Sequence, residues 1–405
     1  MGNLMKRTAL ILLTIVTTLI ISAGSFTMAK ADDYQLELEL FSNYAYVYDL
    51  THDVILLDKN SQERMYPASL TKMMAEIIAL ENYPDWDQQI TITWDMIRGL
   101  WEADASRVGY AVGDKASVRD LLYGVMLPSA ADSVHALGIT LDGSIEAFVN
   151  RMNSKAKELG MNNTHFVTPS GLHDDNHYST CRDMALLLEY CIQNEDFVNI
   201  IKTQNYTTQP TWYYKYGYTM TNTVWSGFTR NGYPSIGLVG GKTGYTDDAL
   251  YCLAVYAKIN DMELIIITAH SDSDLDNPAH KDVSDILTAL THWQYRELII
   301  KDTLQKTITV HHQYEDQEVI ILSEKSVARV LPEEVNTRIT VDFPNEVDSQ
   351  LEEYEVTGTI TVSSDDRILE QWEQKVTIPA EPNFFGRAIK YLKNLYHKLM
   401  EYINK

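Results

Sequence analysis

Ser69-Leu70-Thr71-Lys72 sets a hydroxyl and an amine three residues apart at the start of an apolar run, directly after Tyr66-Pro67-Ala68. Proline suits a first helical turn, so the spacing predicts Ser69 near a helix N-terminus with Lys72 one turn along on the same face. A serine hydroxyl is a weak nucleophile until a base takes its proton, and a lysine can do that only when uncharged. Burial and a second nearby cation both lower a lysine pKa, and a helix N-terminus favours the anion that develops on attack. Ser154-Lys155-Ala156-Lys157 has the same spacing inside an ordinary amphipathic pattern and reads as structural. Context must separate the two.

Lys242-Thr243-Gly244 supplies part of that context. It follows Gly240-Gly241 and precedes a strand-like hairpin, which places it on or beside a sheet edge. A lysine and a threonine hydroxyl there can hold a carboxylate, and Gly244 lets a backbone approach closely. Leu127-Pro128-Ser129-Ala130-Ala131-Asp132 is a third element, because a serine between two lysines can shuttle a proton to a leaving amine. His173-Asp174-Asp175-Asn176-His177 gathers two histidines and two carboxylates, but no third spaced ligand accompanies it, and a structural loop is the preferred reading. The aromatic run Trp212, Tyr213, Tyr214, Tyr216 and Tyr218 could stack on sugar rings; a strand or hairpin is preferred. His311-His312 reads as surface at a strand end.

The elements that must position these groups follow from periodicity. Leu70–Leu80, Leu121–Met126, Ile145–Leu159 and Met184–Cys191 are helical in pattern. Ala45–Leu57 and Leu250–Thr268 read as strands, the second broken by a turn at Asn260-Asp261. From Lys306 the texture changes to short alternating segments, Thr307–Val310, Val319–Leu322, Thr337–Val341, Tyr354–Val362 and Lys375–Ile378, the pattern of a small all-β module. Mixed order followed by strands alone predicts an α+β catalytic domain and a second, smaller domain.

A chain of 405 residues, 45% hydrophobic and 22% charged, is folded and long enough for two domains. Lys and Arg number 33 against 56 Asp and Glu, a charge of −23, which argues against nucleic acid as a partner. Residues 314–373 alone hold 4 basic and 16 acidic residues (4 − 16 = −12), whereas residues 387–405 hold 5 basic and 1 acidic, a balance of +4. Cys181 and Cys191, ten residues apart, would lie about 15 Å apart on one helix, beyond a disulfide's reach. With Cys252 they read as buried small hydrophobes. Lys6 and Arg7, the apolar run Thr8–Ile21 and Ala29-Lys30-Ala31 describe a secretory signal peptide over residues 1–31, cleaved before Asp32, with an uncleaved anchor as the alternative. At the other end, after Pro379 and Pro382, Phe385, Ile389, Leu392, Leu395, Tyr396, Leu399 and Ile403 recur at helical spacing with basic residues between them. An amphipathic helix over 383–405, associating with an anionic membrane surface, is expected; packing on its own domain is the alternative.

In this order the segments resemble the penicillin-recognising serine D-Ala-D-Ala carboxypeptidases, the low-molecular-mass penicillin-binding proteins, across about residues 40 to 300. The resemblance is carried by Tyr66 to Met74, by Asp120-Leu121-Leu122-Tyr123-Gly124 leading into Ser129, by Glu158-Leu159-Gly160-Met161 through Thr164-His165-Phe166-Val167 and Gly171-Leu172-His173 to Thr180, and by Gly240 to Thr246. It implies a DD-peptidase/serine β-lactamase-like domain over 36–300, an antiparallel sheet with helices plus a helical subdomain, then a β-sandwich-like stalk over 305–380. It further implies removal of the terminal D-alanine from peptidoglycan pentapeptide stems, with covalent inhibition by β-lactams. Ser69 is then the nucleophile, Lys72 the general base and Ser129 the proton relay. Lys242, Thr243 and Gly244 hold the substrate's terminal carboxylate end, and the backbone N–H groups of Ser69 and Tyr245 form the oxyanion hole. No metal or organic cofactor is required. One position departs: the family's second motif reads Ser-x-Asn, and here its third residue is Ala131, leaving Asp132 as a possible substitute. Two other functions stay open, a catalytically impaired wall-peptide-binding scaffold, supported by Ala131, and a β-lactamase, which needs a water-activating glutamate that no segment after Ser129 supplies.

Overall fold

The computed structural model describes residues 34–381, apart from 314 and 366, and seven scattered positions between 388 and 400. The expected signal peptide, and with it most of the expected C-terminal helix, lies outside the described residues. Among those described, no helix is long and apolar enough to cross a membrane.

In chain order the first elements are β1 (Ser42–Asp49), β2 (Val54–Lys59), a 3-10 turn (Ala68–Thr71) and α1 (Lys72–Asn82). Next come β3 (Gln89–Thr91), α2 (Trp94–Ile97), β4 (Lys115–Ser117), α3 (Val118–Met126), α4 (Ala131–Asp142) and α5 (Ile145–Glu158). After these lie α6 (Cys181–Cys191), α7 (Glu195–Lys202), β5 (Asn205–Thr207), β6 (Thr219–Thr221) and α8 (Thr223–Asn231). The strands β7 (Leu238–Thr246), β8 (Leu250–Ile259) and β9 (Met262–Ser271), with α9 (Pro278–Leu290), complete the first part of the chain.

Five strands form one antiparallel sheet in the order β2-β1-β9-β8-β7. The turn at Asn260-Asp261 joins β8 to β9, with Asn260 at φ +53°, a conformation asparagine tolerates better than most residues. Side chains alternate across the sheet. Ala254, Tyr256, Ile265 and Ile267 pack into a core shared with α1, α3 and α6, while Leu253, Val255, Leu264 and Ile266 pack into another shared with α9. Burial on both faces explains why β8 and β9 read as nearly continuous apolar runs.

Two features of this frame set up the chemistry. The first eight residues of α1, Lys72 to Ala79, are all buried, so any ionisable group among them sits in apolar surroundings. β7 is the sheet's edge strand, with β8 on one side and the 3-10 turn close to its other. A bulge between Leu238 and Gly240 changes the phase of β7 just before Lys242.

The remaining strands are β10 (Trp293–Ile299), β11 (Leu304–His311), β12 (Gln317–Leu322), β13 (Val327–Pro332), β14 (Thr337–Asp342), β15 (Glu346–Asp348), β16 (Tyr354–Ser364) and β17 (Arg367–Ile378). They pair as β10-β13, β12-β11-β15 and β14-β16-β17 around a core that includes Ile308, Leu331, Ile360 and Trp372. β10 pairs antiparallel with β13, so a strand lying before residue 305 joins this second module. His312 departs from a surface reading: only 5% of its side chain is exposed, and its Nδ1 lies 3.1 Å from Glu381.

Candidate active site

Ser69 lies in the 3-10 turn that feeds directly into α1. Ala68, just before it, has φ +45°, a left-handed conformation that costs a residue with a Cβ about 1–3 kcal/mol unless its surroundings impose it. Two glycines do so. Gly171, itself at φ +78°, comes so near that a Cβ there would lie 1.8 Å from the Ala68 carbonyl oxygen. From the β7 side, a Cβ on Gly244 would lie 3.1 Å from the Ser69 nitrogen. The nucleophile segment is thus held between a loop and the sheet edge, both stripped of side chain at the point of approach.

Lys72 Nζ donates to Ser69 Oγ at 2.8 Å and to the Ser170 carbonyl at 2.6 Å. Burial pushes the Lys72 ammonium down to about 7, against an opposing pull from the Asp132 carboxylate. Near neutral pH the amine is therefore uncharged for a large fraction of the time, which a base requires.

Across the cleft, Lys242 Nζ donates to Ser129 Oγ at 2.8 Å and to the Thr243 carbonyl at 2.8 Å. Lys242 is completely buried; desolvation first, and the nearby Lys72 second, hold its ammonium well below the usual lysine range. Ser129 has φ +63°, which turns it out of the chain just before α4 begins. Thr243 Oγ1 lies 2.7 Å from Thr223 Oγ1 at the start of α8, a partner that no short motif announces. The Tyr245 side chain is half exposed, its ring 4.8 Å from Tyr251. The structure therefore brings Ser69, Lys72, Ser129, Lys242 and Gly244 together, with Thr243 and Tyr245 on the bounding edge strand. The decoy Ser154 lies on α5, where its hydroxyl bonds to the Asn150 carbonyl and Lys155 pairs with Glu81.

Asp132 does not stand in for the missing asparagine. Its buried carboxylate accepts N–H bonds from Val108, Gly109, Tyr110 and Ser133, so its oxygens are committed to clamping the loop ahead of β4. Ala131 packs with Leu100 and Ala105, with Leu172 against them, and its own N–H is taken by the Ser106 carbonyl. A small apolar wall thus occupies the place of an amide.

His177, in the stretch whose sequence reads as a structural loop, is a positioning residue. Its Nδ1 accepts from the Val167 and Thr168 N–H groups, leaving Nε2–H to donate to Thr71 Oγ1 at 2.7 Å. Burial drives its pKa down to about 4, consistent with a neutral ring doing both jobs. One imidazole therefore ties the 3-10 turn to the loop that delivers the Ser170 carbonyl. Its partners lie 9 and 10 positions before it and, for Thr71, 106 positions before it, a relationship no local spacing reveals.

A serine facing a buried amine, on a two-faced antiparallel sheet with helices, defines a serine peptidase of the active-site serine–lysine type. The chain belongs to the D-alanyl-D-alanine carboxypeptidase family, whose profile matches residues 29–273. It is 33% identical over 216 residues to the D-alanyl-D-alanine carboxypeptidase DacF of Bacillus subtilis, covering 53% of each chain, so the match spans about half of that relative's length. Identity to the D-alanyl-D-alanine carboxypeptidase DacA of Escherichia coli is 28%, over 98% of both chains. Among solved structures, a Streptomyces DD-transpeptidase superposes with a TM-score of 0.55 at 28% identity, covering 62% of this chain and 97% of the other. Penicillin binding protein 5 from Haemophilus influenzae shares the fold over 85% of this chain and 98% of its own, with a TM-score of 0.59 at 22% identity.

Proposed function

We propose that the protein is a serine D-alanyl-D-alanine carboxypeptidase that removes the terminal D-alanine from peptidoglycan pentapeptide stems. The observation that carries this reading is Lys72 Nζ at 2.8 Å from Ser69 Oγ, in surroundings that discharge the amine. Neutral Lys72 takes the hydroxyl proton as Ser69 Oγ bonds to the carbonyl carbon between the two D-alanines. The negative oxygen of the tetrahedral intermediate sits against the Ser69 and Tyr245 N–H groups. The C–N bond then breaks, and the leaving amine takes a proton through Ser129, which Lys242 backs. Lys242 and Thr243 hold the terminal carboxylate, Gly244 keeps the edge strand close, and water hydrolyses the acyl-enzyme. A β-lactam enters the same path and stalls as an acyl adduct on Ser69.

The same reading makes residues 1–31 a signal peptide, the all-β strands a stalk, and 383–405 an amphipathic membrane-associating helix. The enzyme then works outside the cell, at the extracytoplasmic face of the bacterial membrane. The second reading, a wall-peptide-binding scaffold with impaired catalysis, is favoured by one observation: an apolar wall at Ala131 where the resemblance implies an amide. Fluorescent penicillin labelling with Ser69→Ala as control, followed by D-alanine release from a pentapeptide, separates them. Labelling lost in Ser69→Ala together with D-alanine release supports the carboxypeptidase. Labelling without release supports the scaffold, and absence of both overturns the proposal.

A further inference from the structure

Of the five aromatic residues from Trp212 to Tyr218, the fold packs two. β5 and β6 pair over three residues each, and residues 208–218 between them form a loop without strand structure. Tyr214 turns inward: its hydroxyl donates to the Val108 carbonyl at 2.8 Å, and its ring lies 5.1 Å from that of Tyr218. The Tyr213 N–H donates to Asp114 Oδ1 at 3.1 Å, so the loop is fastened through backbone and side chain alike. The other three rings face solvent. Trp212 is 76% exposed, Tyr213 59% and Tyr216 94%. Single exposed aromatics are ordinary, but three within five residues on a fastened loop mark an interaction surface.

The anchor is shared with the catalytic frame. Tyr214 binds the Val108 carbonyl, and the Val108 N–H is held by Asp132, three residues after Ser129. The same stretch, residues 98–114, carries a further exposed ring, Trp101, with the Arg107 guanidinium 4.6 Å over it. Its neighbour Leu100 packs with Ala105 on Ala131. One segment therefore joins the aromatic loop to the wall beside Ser129.

Composition selects the occupant. Residues 205–218 hold six Tyr or Trp, five Thr, Asn or Gln, one charged residue, Lys215, and no Val, Leu, Ile, Met or Phe. A membrane surface is met by aliphatic side chains backed by several cations, and this segment has neither. A pyranose ring offers a flat C–H face rimmed by hydroxyl and amide groups, the counterpart of a flat aromatic with a polar edge. In a chain of charge −23, a tip with a single cation suits an uncharged polymer. Resting on the carboxypeptidase reading, we propose that Trp212, Tyr213 and Tyr216 form a binding surface for a chain of N-acetylated amino sugars. This is the class of polymer from which the peptide stems hang, and it is held apart from the catalytic cleft.

The test is sedimentation of the full chain with chitin, an insoluble uncharged polymer of N-acetylglucosamine, in the presence of penicillin to occupy the cleft. The protein should pellet with chitin, and added salt should not release it. Trp212→Ala combined with Tyr216→Ala should weaken that binding about tenfold, whereas Lys215→Ala should change it by less than about twofold. The double variant should release D-alanine from a soluble pentapeptide at the wild-type rate, but from intact wall several times more slowly. Chitin binding that is absent in the wild type, or unmoved in the double variant, would overturn the surface; continued pentapeptide turnover would leave the carboxypeptidase reading intact. Binding to anionic phospholipid vesicles in place of chitin, lost in the double variant, would also overturn it. Neither pentapeptide turnover nor chitin binding would remove both.

Discussion

Acylation of Ser69 by a fluorescent penicillin should rise with pH and level off, with a midpoint near the Lys72 pKa of about 7. The active form is the free amine, so activity is lost as the pH falls through that value. At pH 6 about a tenth of Lys72 is neutral and at pH 8 about nine tenths, so the acylation rate constant should climb about tenfold between them. A solvated lysine, with a pKa of about 10.4, would be neutral roughly once in 2,500 molecules at pH 7 and would show no plateau below pH 10. The fall from 10.5 to about 7 corresponds to about 5 kcal/mol against the charged form, an order of magnitude attributable to full burial. Asp132 supplies the main opposing attraction, so Asp132→Asn should move the midpoint below 7. Because Asp132 also clamps residues 108–110, its melting temperature has to be recorded beside the profile. The assay is gel or mass-spectrometric quantitation of the adduct at short times from pH 5.5 to 10. A rate that is flat from pH 6 to 8, or a midpoint near 10, would refute the claim that a neutral Lys72 is the base.

Three further outcomes follow from the packing around that pair. Gly171→Ala adds a Cβ 1.8 Å from the Ala68 carbonyl at a backbone φ of +78°, so penicillin labelling should fall at least tenfold; unchanged labelling would refute the wedge. His177→Ala removes one hydroxyl contact and leaves the buried Val167 and Thr168 N–H groups without their acceptor. It should cost about 2–3 kcal/mol in chemical denaturation and also slow acylation. Glu76 is fully buried in α1 with neither carboxylate oxygen hydrogen-bonded to any described residue, and burial raises its pKa well above 4.5. It stays protonated when folded and ionises on unfolding, so it costs increasing stability as pH rises above 4.5. Glu76→Met should therefore gain melting temperature over wild type, and gain more at pH 8 than at pH 5; an equal shift at both would show that the glutamate is ionised in the fold.

Much of this site could be read from the chain because its chemistry is local. Ser69 and Lys72 are one turn apart, Lys242 to Gly244 occupy one strand, and the turn at Asn260-Asp261 declares the hairpin behind them. What could not be read depends on distant partners. Asp132 looked free to replace an amide because nothing in its neighbourhood shows that backbone N–H groups 22 to 24 residues upstream claim its oxygens. His177 sits in an acidic, histidine-bearing stretch that suggests metal, yet its ring serves two backbone donors and a hydroxyl. The left-handed Ala68 carries no glycine signal of its own; the glycines that allow it are Gly171 and Gly244, far along the chain. In the second module, β10, β13 and β15 escaped notice. The first mixes Gln, Arg and Glu with its apolar residues, the second ends on Pro332, and the third is three residues long.

The bulge ahead of the Lys-Thr-Gly segment decides which side chain reaches the cleft. Leu238 packs on the α9 side of the sheet, yet Lys242, four residues later, points to the opposite side, toward Ser129. In an uninterrupted strand those two positions would share a face. The bulge absorbs Val239 as an extra residue: were the strand straight at its present length, Lys242 and Thr243 would exchange faces, whereas deleting Val239 would straighten it and keep the amine facing Ser129.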